Sequence, residues 1–95
     1  VDERFAEPLR EGSMSVAVYR LAAGVDDEQE PHGEDEAYYV LSGSAKIRIG
    51  EAVHDLEPGD LVYVERDVEH EFFDIESDLT TLVFFAPEFG SGGTD

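Results

Sequence analysis

His32, Glu36 and His70 are the residues whose types could do chemistry together. Two imidazoles and a carboxylate suit a divalent transition ion and leave coordination positions open. An open position is where a small molecule can be captured or transformed. His32 and Glu36 lie four residues apart, and an even offset puts two side chains on one face of a regular strand. Pairing with a second strand could then bring His70 beside them. Glu30 could add a fourth, oxygen ligand, hardening the site towards Mn or Fe. Alternatively Glu30 points into the acidic loop around it and water takes its place.

Such a site needs strands for walls. Val16 and Val18 alternate with Ala17, Tyr19 and Leu21, so the segment Ser13–Ala23 reads as a strand with both faces partly apolar. Glu36–Ser42 is rich in Tyr and Val, which favour strands. Ala45, Ile47 and Ile49 alternate with Lys46 and Arg48, and Ala52–Leu56 returns after a Gly50-Glu51 turn. Glu57-Pro58-Gly59-Asp60 has proline and glycine at turn positions. Leu61–Val64, Glu69–Ile75 and Leu79–Ala86 complete the set, with turns expected at Leu41–Ser44 and Glu76–Asp78. Near the start, Phe5 and Leu9 are spaced for a short helical turn, which Pro8 limits. Many short strands and almost no helix signal predict an all-β sandwich or barrel. No repeat or linker divides the 95 residues, so one domain is expected over 1–95, with 87–95 a flexible Gly- and Ser-rich tail.

Composition narrows the function. Twenty-four acids oppose six bases, for a net charge of −18, and Lys46 is the only lysine. Interleaved with apolar alternation, the acids read as a shell on a folded core. Such a shell repels itself in dilute buffer and is screened at molar salt, where the Debye length is ~3 Å. The balance resembles proteins of salt-loving organisms. It argues against sequence-independent nucleic-acid binding, which needs cations facing phosphates. The absence of cysteine excludes disulfides, thiolate metal sites and a Cys nucleophile. No apolar run approaches the ~20 residues of a membrane span, and no charged-then-apolar leader precedes the first strand. A cytoplasmic protein without membrane partners is expected. The acidic runs Asp26–Glu30 and Glu34–Glu36 lack the spacing of a calcium loop, so acids other than the ligands are expected to be solvated. No phosphate loop or nucleophile elbow is present. Tyr38, Tyr39, Tyr63, Phe72, Phe73, Phe84 and Phe85 read first as core, and His54 as an exposed or edge residue.

The run Pro31–Gly43 resembles the first signature of the cupins, and Gly59–Asp74 the second. In the family's first motif two histidines one residue apart precede a glutamate, and a glycine follows. Here His32 takes the place of the second histidine, Glu36 the glutamate and Gly43 the glycine. In the second motif a histidine follows a glycine by eleven residues, as His70 follows Gly59. The resemblance covers about residues 14–86. It departs at Glu30, which replaces the family's first histidine, and at Glu65, Asp67 and Asp74, which replace proline, glycine and asparagine. These last three should reshape a loop or a turn. The resemblance implies a single-domain, mostly antiparallel, jelly-roll-like β-barrel. It implies a metal (Fe, Mn, Ni, Co or Zn) held by His32, Glu36 and His70, with Glu30 as a candidate fourth ligand. The expected partner is a small oxygen-rich molecule, handled by a dioxygenase or isomerase, or captured by a non-catalytic binding or sensor module. A homodimer is expected, with the stretch up to Tyr19 contributing to its interface.

Overall fold

Alternating apolar residues become strands, two of them longer than the sequence suggests. The computed structural model describes residues 5–25, 27 and 33–87. Over these the chain forms β1 (Phe5–Glu11), β2 (Met14–Leu21), β3 (Asp35–Ile49), β4 (Ala52–Leu56), β5 (Leu61–Val64) and β6 (His70–Ala86). Every pairing is antiparallel. The tail beyond Pro87 lies outside the described residues.

β3 runs through the expected turn at Leu41–Ser44, and β6 through that at Glu76–Asp78. Bulges replace the first of these turns. The register between β3 and β6 shifts repeatedly between Val40 and Lys46, which bends the strand without ending it. Gly43 makes this close approach feasible. Its φ is +93°, and a Cβ there would lie 2.1 Å from the Asp78 carbonyl oxygen, a conformation and a gap open only to glycine. The first half of β3 pairs with β5 and the end of β6, and the second half with β4 and the start of β6. The sheet thus folds into two facing layers, β1-β2-β6-β3-β5 and β6-β3-β4.

The opening stretch is strand, not a helical turn. Pro8 sits in an edge strand where the register with β2 slips between Ala6 and Leu9, a place that tolerates a missing backbone donor. Between the layers lie Leu21, Tyr38, Val40, Ile47, Leu56, Phe72 and Leu79, all buried. Phe72 stands edge-on to Tyr38 with ring centroids 4.9 Å apart, a favoured aromatic arrangement.

The outer side of the larger layer is also apolar. The register aligns Leu9, Val16, Phe84, Ala37 and Tyr63 in one row across the strands. Val18, Leu82, Tyr39 and Leu61 form the next row. Tyr39 and Tyr63, expected in the core, therefore face outward, because they occupy the exposed positions of an alternating strand. Phe73 and Phe84 are half-buried, and the Arg48 guanidinium covers the Phe73 ring.

Candidate metal centre

Even-numbered residues at the start of β3 point between the layers, which sends Glu36 and Tyr38 inward. β6 begins with His70 and Phe72 pointing inward from the facing layer. The two elements meet at Glu36 and His70. Nε2 of His70 lies 3.3 Å from Oε2 of Glu36, and both side chains are 1% exposed. Residues 34 apart in sequence are thus brought together inside the barrel.

Local contacts aim the imidazole. His70 pairs with Ile49, and the Gly50 N–H donates to the Glu69 carbonyl, fixing where β6 starts. The preceding turn closes through Val68 N–H to Glu65 O. The carbonyl of Val68 accepts a bond from Nδ1 of His70 at 3.0 Å. A proton on Nδ1 leaves Nε2 of the neutral ring with its lone pair towards Glu36, the arrangement a metal ligand needs. Asp35 anchors the same turn. It accepts from the Arg66 backbone N–H at 3.0 Å and pairs with the guanidinium at 3.2 Å. These bonds from Arg66 hold the Asp35 carboxyl below its usual range.

Two of the family departures fall on left-handed backbone. Asp67 has φ 65° and Asp74 φ 48°. Glycine and asparagine adopt that region most readily, and aspartate tolerates it. Asp67 and Asp74 therefore hold these turns in a conformation that glycine or asparagine would adopt more readily.

Glu36 is electrostatically costly. Burial pushes its carboxyl up to about 7, the Tyr38 hydroxyl bond opposes this, and the carboxylates of Glu34 and Asp27 add to the rise. The Tyr38 hydroxyl donates to Oε1 of Glu36 at 2.8 Å. A cation beside Oε2 would offset the cost of a buried negative charge.

Asp27 and Glu34 are buried, at 2% exposure each, against the expectation that acids other than the ligands are solvated. Asp27 has partners inside. It accepts from the Tyr19 hydroxyl at 2.6 Å and from the Phe72 backbone N–H at 2.9 Å. It ties its loop to β2 and to the strand that carries His70. The only sequence signal was a tyrosine on the inward face of β2.

The donor atoms fit an ion. Neighbouring ligands at ~2.1 Å from a metal stand about 3 Å apart, close to the 3.3 Å between Nε2 and Oε2. Among the described residues no three His, Asp or Glu side chains complete a ligand set. His32 and Glu30 lie outside the described residues. His54 is exposed on β4, where it pairs with Ile47, so that β3 lies between it and the strand that carries His70.

The cupin domain model matches residues 17–86. The chain belongs to the cupin family. This cupin is 44% identical over 86 residues to an uncharacterized protein of Streptomyces coelicolor, covering 90% of this chain and 82% of that one. Among solved structures it superposes on the DMSP lyase DddQ of Ruegeria pomeroyi with a TM-score of 0.81 at 24% identity, covering 98% of this chain. The cupin spans 50% of that lyase chain. KdgF from Halomonas sp. gives a TM-score of 0.80 at 18% identity, with 87% of this chain and 76% of that chain covered. At such identities the two structures show the fold alone.

Proposed function

We propose that this cupin binds a divalent transition metal inside the barrel and acts there on a small, oxygen-rich molecule. His70, Glu36 and His32 hold the ion, with Glu30 as a fourth oxygen ligand. The observation that carries the reading is the buried pairing of His70 Nε2 with Glu36 Oε2 at 3.3 Å. Hydrogen bonds from His70 to Val68 and from Tyr38 to Glu36 orient both side chains. When bound, the metal supplies Lewis acidity at coordination positions open to the substrate's oxygens. The chain's own contribution is placement. Val68 fixes the imidazole tautomer, Tyr38 holds one carboxylate oxygen, and Phe72 packs edge-on against Tyr38.

Metal content tests this reading. Wild-type protein purified without added metal should carry close to one equivalent of a transition ion, and His70→Ala should lose most of it. Equal, substoichiometric metal in both proteins would remove the proposed centre.

A further inference from the structure

Among the described residues β2 and β6 pair as far as Leu21 and Leu79. Upstream of Leu79, β6 belongs to the smaller layer, where its start, from His70 to Phe73, pairs with β3 along one edge. The other edge is met by the segment that follows β2. The Ala23 N–H donates to Oδ1 of Asp78 at 2.9 Å, and the Gly24 N–H to the Ile75 carbonyl at 3.1 Å. The Phe72 N–H then donates to Oδ2 of Asp27 at 2.9 Å. Rising numbers in this segment meet falling numbers in β6, so it straps the strand antiparallel and runs towards His70.

The strap ends on a buried anchor. Asp27 is 2% exposed. Its other oxygen, Oδ1, accepts from the Tyr19 hydroxyl at 2.6 Å, so one carboxylate joins β2, β6 and the segment itself. The Tyr19 and Phe72 rings lie 6.1 Å apart. Phe72 packs edge-on against Tyr38, which bonds Glu36. The Asp27 charge is close enough to Glu36 to help raise its carboxyl. With both oxygens engaged, Asp27 works as an anchor beside the centre, not as a ligand in it.

Covalent reach gives the anchor its consequence. Glu30 follows Asp27 by three residues and His32 by five, at most about 11 and 18 Å of extended chain. Phe72 is two residues from His70, about 7 Å along a strand. Fixing Asp27 at Phe72 therefore keeps both proposed ligands within reach of the His70 imidazole. Without that bond the nearest backbone tie to β6 is Gly24 at Ile75, about 17 Å of strand from His70.

We propose that Asp27 is a positioning residue of the metal centre: its bonds to Tyr19 and Phe72 set the segment that carries Glu30 and His32 against the strand that carries His70, and so set how tightly the ion is held. This role rests on the metal reading above. Groups that hold metal ligands from behind typically contribute ~10–100-fold to affinity.

Calorimetric titration of metal-free protein with Co(II), in about 1 M KCl to screen the acidic shell, tests it. Asp27→Ala should weaken binding at least about tenfold. Asp27→Asn, which keeps an oxygen for the Phe72 N–H, should stay within about threefold of the wild type, and Tyr19→Phe, which removes one bond, should lose about threefold. Leu56→Ala is the control for general loosening. Leu56 is buried on β4 opposite Ala45, away from the strap, so this variant should lose at least as much stability as Asp27→Ala and still bind Co(II) as the wild type does. Unchanged affinity in Asp27→Ala overturns the proposal. So does an Asp27→Asn as weak as Asp27→Ala, or a Leu56→Ala that weakens equally. If Asp27→Ala does not fold, Tyr19→Phe decides, and wild-type affinity there overturns the proposal. His70→Ala separates the two readings. Loss of Co(II) in His70→Ala with wild-type affinity in Asp27→Ala refutes the positioning role alone, whereas wild-type affinity in His70→Ala removes the metal centre and this role with it.

Discussion

Buried and exposed carboxylates of this chain differ in what they touch. Asp27, Glu34 and Glu36 sit inside, each at 2% exposure. Asp55, Glu57 and Glu76 sit in the shell, exposed. Asp27 joins a loop to two strands through a hydroxyl and a backbone N–H, and Glu36 faces an imidazole. In the shell, Asp55 meets Lys46 only at 3.7 Å with its side chain 83% exposed. One residue type thus does two jobs. Inside, Asp27 and Glu36 are held by specific donors in a low-dielectric setting, where losing a partner is costly. Outside, the acids act through their sum, by a field that salt screens.

The largest expected break in this comparison is Asp27→Ala. It removes the acceptor of the Tyr19 hydroxyl bond and of the Phe72 N–H, and should lower unfolding stability in urea by ~2–4 kcal/mol. Asp27→Asn keeps one acceptor oxygen and should lose less. An equal and negligible loss in both variants would show that the clamp carries no stability.

Glu36 sharpens the contrast through pH. Its carboxyl is raised from 4.5 to about 7 in the fold, so between those values the native state of metal-free protein holds a proton that the unfolded chain releases. Stability from this group is therefore fully present below about 4.5 and is lost as pH rises through about 7. Comparing metal-free wild type with Glu36→Gln isolates the effect from the rest of the acids. The stability difference between the two should drift against the wild type as pH climbs from 5 to 8. No drift would show that Glu36 ionises as a solvated acid does.

Salt separates the two groups next. The melting temperature of the wild type should rise from 0.1 to 1 M KCl as self-repulsion in the shell is screened. The deficit of Asp27→Ala should be the same at both salt concentrations, because its partners are buried. A flat wild-type curve would detach the acidic composition from salt adaptation. The smallest effect belongs to a single shell acid: Glu76→Gln should change stability by no more than about 0.5 kcal/mol.

The sequence carried much of this, for physical reasons that also explain what it hid. Period-two alternation around Val16, Ile47 and Val83 marks strands, because one face of each is packed. The fixed offsets around Glu36 and His70 marked them as candidates because few unrelated patterns place those donor types so, and the fold brings these two side chains together. The continuity of β3 through Gly43 was illegible, since a bulge and a turn share the same Gly and Ser signals and only the approach of Asp78 separates them. Tyr39 and Tyr63 could not be assigned a side, because both faces of their strands are apolar. Burial of Asp27 depends on partners 8 and 45 residues away, which no local window contains.

Anomalous diffraction at the metal edge tests the central claim most directly. Crystals of protein purified without added metal should show one peak between the layers, about 2.1 Å from Nε2 of His70 and Oε2 of Glu36. A peak bound elsewhere, or a fully ordered barrel in which those two atoms bond only to each other while metal is in excess, would contradict it.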